Sequence, residues 1–389
     1  MSEHAADVAR DAQEAPAGFG WSDEHALLRD EARRLLEERC PISEVRRLAE
    51  DPLGHDPGLW KELAELGWLG LTIPEALGGA GLGSLHLALL LEEMGRCLLP
   101  SPYLTNVLAA RAIEAAGSRS QQERWLPAIA AGDVAASIAL CEPSLSWEPD
   151  AVEARAEPAD GGFVLHGRKV HVQDAASAGL LIAPFREPDG RLALFALELP
   201  SAGVTIEPEL GVDPTRRSMR VDLEGVHVGR DARLEGDGTA ALRTAFVHGY
   251  AALAAEMIGG AEATLEMTRR YAVERKQFGR SIGSFQGVKH PLVDMMIGVE
   301  LARSHALGAA AALDHDPARA ETPARMAKAL ASDVYAQVVR KGVQLHGGYG
   351  FTIDCDVHLY FKRALVSRGV LGDAVHHRRH LAALLLDRA

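Results

Sequence analysis

Residues Tyr271–His290 read YAVERKQFGRSIGSFQGVKH, and the rest of the chain is organised around this stretch. Arg275, Gln277, Phe278 and Gly279 fall where a helix must end, because Gly279 reaches backbone conformations that other residues resist. Ser284 is placed to cap a new helix beginning near Phe285. Such a corner projects a guanidinium, an amide and a ring from one short segment. Those groups suit a flat, anionic, partly aromatic ligand: Arg for a pyrophosphate, Phe for a ring face, Gln for polar edges. They suit a polar corner between two helices as well, and the chemistry of the corner alone does not choose.

Upstream of the corner, an Ala- and Leu-rich helix runs from Thr239 to about Glu274. Downstream, Pro291 lies a turn or two inside the next helix and removes one backbone donor there. Thr322-Pro323 reads as a cap followed by a helix start, and that helix runs to Leu345 before the Gly347-Gly348 pair. Long amphipathic helices in sequence imply a bundle over residues 237–389. Residues 132–236 differ in character. Short apolar runs (163–165, 170–172, 180–182, 192–197, 221–228) alternate with turn residues such as Asp160-Gly161-Gly162 and Pro188-Asp189-Gly190, which predicts an antiparallel sheet domain. No Gly-x-Gly-x-x-Gly follows a strand, so a Rossmann-type cofactor domain is not expected. Residues 21–131 read as an all-helical domain whose Leu and Trp residues form its core. Residues 1–20 lack periodicity and read as a loose tail. The fold class is α+β, mainly α.

The chain has 389 residues, 47% apolar and 24% charged, with a formal net charge of −13. That balance is ordinary for a globular protein and argues against a nucleic-acid partner, which requires clustered positive charge. Four scattered cysteines form no Cys-x-x-Cys pair and fit reduced, buried thiols. His376, His377 and His380 cluster near the end, but no neighbouring cysteine or carboxylate pair completes a metal site, so no metal is expected. The opening residues carry mixed charge without a signal-peptide core, and no run approaches the roughly 20 apolar residues of a membrane span. The expected location is cytoplasmic, without membrane insertion.

The segment around Arg275-x-Gln277-Phe278-Gly279, with Phe285-Gln286 after it, resembles the signature of the acyl-CoA dehydrogenase family. Gln344-Leu345-His346-Gly347-Gly348-Tyr349-Gly350 is similar to that family's second flavin motif. Residues 60–81 (WKELAELGWLGLTIPEALGGAG), followed by Glu92-Glu93-Met94-Gly95, resemble its N-terminal signature. The resemblance covers most of the chain. It implies an N-terminal helical domain, a central β domain and a C-terminal four-helix bundle, in a homotetramer or homodimer. It also implies an FAD cofactor, with the corner and the Gly-Gly turn of one subunit embracing the FAD held mainly by its neighbour. Carried over by position, Arg275, Gln277, Phe278, Ile282, Phe285, Gln286, Gln344, Gly347 and Gly348 would hold the dinucleotide.

The flavin-ring half of the site departs from the family pattern. Its strand motif becomes Cys141-Glu142-Pro143-Ser144-Leu145-Ser146-Trp147, where backbone groups of Leu140 and Cys141 could bond the ring edge. The stacking Trp and nearby Thr of the family align with His171 and Gln173. His171 either replaces the stacking ring or is an ordinary strand histidine; Trp147 either shapes the acyl entrance or covers a sheet edge.

The proton-abstracting carboxylate is missing. The family's two positions for it align with Gly372 and Gly249, and glycine at both would free volume for a bulky acyl group. Asp373, one residue on, is the candidate base. The expected reaction is FAD-dependent α,β-dehydrogenation of an acyl-CoA to a trans-2-enoyl-CoA, with electrons passing to an electron-transfer flavoprotein. The alternatives are a silent or half-site subunit in a heterotetramer with a homologous chain, as in actinobacterial enzymes for steroid-derived acyl-CoAs, or a flavin monooxygenase or oxidase on the same fold. The tail His376-His377-Arg378-Arg379-His380 reads as a solvated helical face or as a lure for CoA phosphates.

Overall fold

The computed structural model describes residues 21–386; the expected loose tail over residues 1–20 lies outside them. Among the described residues six α-helices come first: α1 (Asp23–Arg39), α2 (Ile42–Glu50), α3 (Pro57–Glu65), α4 (Ser84–Arg96), α5 (Tyr103–Ala116) and α6 (Arg119–Ala130). Their starts follow local chemistry. Asp56 accepts from the Gly58 amide ahead of Pro57, and Ser118 forms a capping box with Gln121. Ser22 precedes α1, its amide donating to His25 Nδ1 at 3.2 Å.

Seven strands follow: β1 (Ala136–Ile138), β2 (Arg155–Ala159), β3 (Gly162–Gln173), β4 (Leu180–Arg186), β5 (Leu192–Glu198), β6 (Val204–Pro208) and β7 (Ser218–Gly229). They form one sheet in the order β1-β4-β2-β3-β7-β6, with β5 added to β4. The sheet is mixed, where the sequence suggested antiparallel pairing alone. The hairpin-linked ladders β2/β3, β4/β5 and β6/β7 and the long β3/β7 ladder are antiparallel. β1 runs parallel to β4, and β2 meets β4 in parallel at Arg155 and Arg186. The physical reason is chain path: β1 and β4 are joined by a loop and the β2/β3 hairpin, a connection long enough to bring a strand back in the same direction.

The C-terminal part holds α7 (Gly238–Glu274), a two-residue ribbon β8 (Lys276–Gln277) and β9 (Arg280–Ser281), α8 (Gln286–His315), α9 (Glu321–His346), α10 (Val357–Ser367) and α11 (Ala374–Leu386). The long helices α7, α8 and α9 pack on one another, and the shorter α10 and α11 close over α9. Two expected helix starts are corrected. Ser284 does not cap α8; its hydroxyl donates to the Ser281 carbonyl, and Phe285 occupies the cap position. Thr322-Pro323 lies just inside α9, which opens at Glu321 after a short 3-10 turn.

One apolar core runs through both helical parts, from Leu36 and Trp60 to Tyr335 and Leu371, and a second lies within the β domain around Phe185, Phe195 and Leu165. Helices α4 and α7 touch backbone to backbone. A Cβ on Gly95 would strike the Glu256 carbonyl, and one on Gly259 would strike the Glu92 carbonyl. The N-terminal domain therefore rests on the same helix, α7, that ends at Arg275. No helix among the described residues is long and apolar enough to cross a membrane.

Candidate functional site

The corner and the Gly-Gly turn lie at one end of the bundle. The Tyr271 ring, one turn before Arg275, stacks on His346 at 4.6 Å and on Tyr349 at 6.0 Å. Thus the end of α7 and the end of α9 share a short aromatic stack, and most of the corner and turn beyond it is exposed. Arg275, Gln277, Gln286, Gln344, Gly347 and Gly348 are exposed, whereas Ile282 and Phe285 are half-buried. Phe278 is 92% exposed and sits at φ 52°. A large apolar residue in the left-handed region costs on the order of 1–3 kcal/mol, and here its ring gains almost no burial in return. The Phe278 and Phe285 rings stand edge to face at 6.1 Å, and the Arg280 guanidinium lies 4.1 Å over Phe285. Gly347 has φ 63°, and a Cβ on Gly347 or Gly348 would meet nothing within 4 Å. The result is an open cradle of cations, ring faces and bare backbone.

The second group of expected residues lies in the β domain. Leu140 and Cys141 are buried; the Cys141 carbonyl accepts from the Val170 amide at 2.9 Å, and burial pushes its thiol up to about 11. A register irregularity between Lys169 and Val172 puts His171 at φ 53°, out of the ladder and exposed, with its amide and ring against Glu209 at 2.9 and 3.1 Å. Gln173 is buried, and its carbonyl accepts from Ser137 at 2.6 Å. These residues find their partners within the β domain.

Beneath the strand turn, Lys169 and Glu142 form a fully buried pair at 2.7 Å, with Lys169 also donating to the Pro184 carbonyl. Burial lowers the Lys169 amine to about 8 against the pull of Glu142. The pair ties the Glu142-Pro143 turn to the sheet, and so fixes the loop that carries Trp147.

Trp147 lines a cavity of about 290 Å³ together with Phe246, Tyr250, Arg325, His376 and His380. Two positions expected to be roomy are filled, which corrects the notion of freed volume. A Cβ at Gly249 would lie 2.7 Å from Leu371 Cδ1 and 3.0 Å from Leu108 Cδ2, and one at Gly372 would strike the His376 ring. Asp373 caps α11, its Oδ1 accepting the His376 amide at 2.8 Å, and it is not among the residues lining that cavity. The terminal histidines do not form a solvated face. His377 is wholly buried against the Tyr250 ring at 4.6 Å, and burial holds its pKa far below the ordinary range. His380 Nε2 lies 2.6 Å from Glu148 Oε1, so the carboxylate invisible in the local sequence arrives from the β1–β2 loop.

Residues 22–133 and 236–386 match the family models for the acyl-CoA dehydrogenase N-terminal domain and C-terminal domain, respectively. The chain is 32% identical to acyl-CoA dehydrogenase IpdE2 of Mycolicibacterium smegmatis over 365 residues, covering 93% of this chain and 99% of that protein. The chain belongs to the acyl-CoA dehydrogenase family. Two solved structures extend the likeness. A variant of the Tcur3481–Tcur3483 steroid ACAD is 32% identical with a TM-score of 0.85, covering 95% of this chain and 99% of that one. The ChsE4–ChsE5 complex of Mycobacterium tuberculosis is 28% identical with a TM-score of 0.88, covering 96% and 100%.

Acyl-CoA dehydrogenases are oxidoreductases of a flavoprotein family. Away from the cradle, the fold also assembles a buried charged network from distant parts of the chain. Arg363 is fully buried and binds Asp213 at 2.6 Å, Glu256 at 3.0 Å and the Thr215 hydroxyl at 2.7 Å. Arg216 pairs with the same Glu256, and Arg217 donates to carbonyls at the end of α2. Burial pushes the Asp213 and Glu256 carboxyls up, but the guanidiniums prevail and hold both below the usual range. This network pins the β6–β7 loop to α7 and α10 at the meeting point of all three parts of the chain. The signal in the sequence was the Asp213-Pro-Thr-Arg-Arg run, but its partners lie too far along the chain for spacing to reveal.

Proposed function

We propose that this chain, paired with a second copy or with a homologous partner, carries out FAD-dependent α,β-dehydrogenation of an acyl-CoA thioester to a trans-2-enoyl-CoA. The observation that supports this best is the convergence of the Arg275 corner and the Gly347 turn into one open, cationic, aromatic cradle. The donor set fits an FAD. Arg275 opposes pyrophosphate charge, Phe278 and Phe285 offer ring surfaces, and Gly347-Gly348 let the backbone approach phosphates closely. The exposed ring of Phe278 in a strained conformation is the kind of feature a ligand stabilises. On the β-domain side, Leu140 and Cys141 offer backbone groups, His171 a ring and Gln173 an amide. FAD, when bound, supplies the acceptor for the hydride that leaves Cβ. The cavity under Trp147 and Tyr250 takes the acyl-CoA, and electrons pass on to an electron-transfer flavoprotein.

The cradle and the β-domain set would meet on one FAD across a subunit boundary, as the family resemblance implies, and this arrangement requires an assembly. Val293, Met296, Ile297 and Leu301 recur at helical spacing on α8 and stay about half exposed, a stripe suited to burial against another subunit. A homotetramer, a homodimer and a heterotetramer with a homologous chain all satisfy this requirement. The two-chain assemblies among its relatives, ChsE4–ChsE5 and Tcur3481–Tcur3483, favour the last.

The test is the visible spectrum of the purified chain, alone and co-expressed with a homologous partner, before and after anaerobic addition of a panel of acyl-CoAs. Flavin absorbance that bleaches with an acyl-CoA is the expected result. A protein that stays colourless at saturating FAD in every assembly refutes the cofactor assignment. Bound flavin that no acyl-CoA reduces indicates the half-site subunit, and rapid reoxidation by air with oxygenated product indicates a monooxygenase.

A further inference from the structure

The acyl-CoA reading leaves the α-proton without a carboxylate to receive it, since Gly372 and Gly249 carry no side chain. The group packed against Gly372 is the His376 imidazole. A Cβ built on Gly372 would lie 3.0 Å from His376 Nε2 and closer still to its Cδ2, so this edge of the ring stands where a side chain at 372 would begin. The opposite nitrogen, Nδ1, faces Glu148 Oε1 at 3.7 Å, and the same oxygen is held 2.6 Å from His380 Nε2. The His376 backbone is fixed by the Asp373 cap, and its ring lines the cavity beside Trp147, Phe246 and Tyr250. A half-buried imidazole in the wall of a cavity, with a carboxylate 3.7 Å from one nitrogen and the other nitrogen beside the backbone of Gly372, brings a titratable group to the position left without an acid.

We propose that His376 is the acceptor of the α-proton in this chain and that Glu148 is its positioning residue. The proposal rests on the acyl-CoA reading of the cavity. In the step, the Cα–H bond of the thioester breaks, the proton forms an N–H bond at Nε2, and the electron pair moves onto the thioester carbonyl oxygen as an enolate. The imidazolium then faces the Glu148 carboxylate, which offsets its charge. The proton returns to carbon in the reverse step or leaves to water at the cavity mouth. No oxidant enters this half of the reaction.

The groups around the ring are Glu148 from the β1–β2 loop, Glu321 and Arg325 from α9, Arg243 and Tyr250 from α7, and Asp373, His377 and His380 from its own helix end. Burial, His380 and Arg325 favour the neutral ring, Glu148 and Asp373 the charged one, and the balance lies on the neutral side. A neutral ring at physiological pH is the form a base requires.

The experiment uses the FAD-loaded protein in its purified assembly and an acyl-CoA with sulfur in place of Cβ, which can lose its α-proton but has no hydride to give. Deuterium entering Cα in D2O is followed by mass spectrometry. The wild type exchanges. His376→Ala and the milder His376→Gln exchange on the order of 10²-fold or more slowly, added imidazole restores exchange in the alanine variant, and Lys61→Ala, on the exposed face of α3, serves as the folding control. Glu148→Gln moves the pH midpoint of exchange downward, a response that simple loss of packing would not give. In the apoprotein, acylation of the His376 ring by diethyl pyrocarbonate is slowed by the same acyl-CoA. Undiminished exchange in both His376 variants overturns the proposal. Protection of His376 without any exchange in the wild type overturns it too, while leaving the acyl-CoA reading intact; absence of both protection and bound flavin defeats that reading itself. Stoichiometric zinc retained through dialysis and lost in His376→Ala also overturns the proposal, because a metal would occupy the ring nitrogen the proton needs.

Discussion

Replacing Arg363 by Met tests whether the three parts of the chain are locked by charge at one buried point. The methionine roughly conserves volume but leaves Glu256 with one guanidinium, Arg216, and Asp213 with the Thr215 amide and hydroxyl alone. In the native chain Arg363 spends its donors on Asp213, Glu256 and Thr215, and it is 2% exposed. Removing one partner of a buried pair costs about 3–5 kcal/mol. Unfolding entropy of about 2.1 cal/mol/K per residue amounts to roughly 0.8 kcal/mol/K over 389 residues, so the melting temperature should fall by about 4–6 °C. The assay is differential scanning calorimetry at fixed protein and FAD concentrations. Adding Asp213→Asn to the variant removes one orphaned charge and should recover part of the loss. The pH dependence has a definite sign. Both carboxyls are depressed in the folded state, so their contribution is present above the unfolded carboxylate range near 4 and is lost as pH falls through their folded values. The gap between wild type and variant therefore narrows in acid. A fall of less than about 1 °C at neutral pH, or a double variant no better than the single one, would show that the network is ornamental.

Three further outcomes are expected. Gly347→Val forces a β-branched residue into φ 63°, ψ −142°, and should lower the ratio of flavin to protein absorbance several-fold; full flavin content after gel filtration would remove Gly347 from the cradle. Lys328 is buried with its amine pushed down to about 7, donating to Ser332 and to the Gly372 carbonyl; the unfolded chain binds its proton up to about 10.5, so stability should rise between pH 7 and 9.5, and Lys328→Met should flatten that slope in denaturant titrations. Gly249→Glu should not restore a base, because its side chain meets Leu371 and Leu108; overpacking of about 1–3 kcal/mol should lower the melting temperature, and a gain in acyl-CoA-driven bleaching would refute this.

The helices were legible because their signals are local. The Gly347 stop acts within four residues, and the structure places it as the chemistry dictates; Asp56 ahead of Pro57 and Ser118 with Gln121 are signals of the same local kind, standing in the structure a few residues before the apolar pattern of each helix begins. The sheet was legible only in part. Turn residues announce hairpins, but the β1/β4 pairing joins residues more than forty positions apart, and its direction depends on the path between them. Ser284 shows the limit from the other side. A cap-type residue stood one position before the right place, yet its hydroxyl found the Ser281 carbonyl within its own turn and left the helix start to Phe285.

For the site, the sequence resolved the segments that carry their chemistry in one stretch and missed those assembled from afar. The Arg275 corner and the Gly347 turn could each be read singly, because guanidinium, ring and glycine stand side by side; their proximity required Tyr271 to stack on His346. The base region misled for a physical reason. Glycine in place of a carboxylate reads as empty space, but in a close-packed interior neighbouring side chains take that space, and here Leu108, Leu371 and His376 do so. The substitution is thus coupled: glycine at 372 is what lets His376 lie against the backbone, and His376 brings its own titratable nitrogen to the vacated position. Restoring an acid at 372 alone would therefore displace the one group now placed to act there. A return to the usual arrangement would have to change residues 372 and 376 together, which a double variant, Gly372→Glu with His376→Ala, would examine directly: it should gain acyl-CoA-driven bleaching over either single variant if the two positions do share one task.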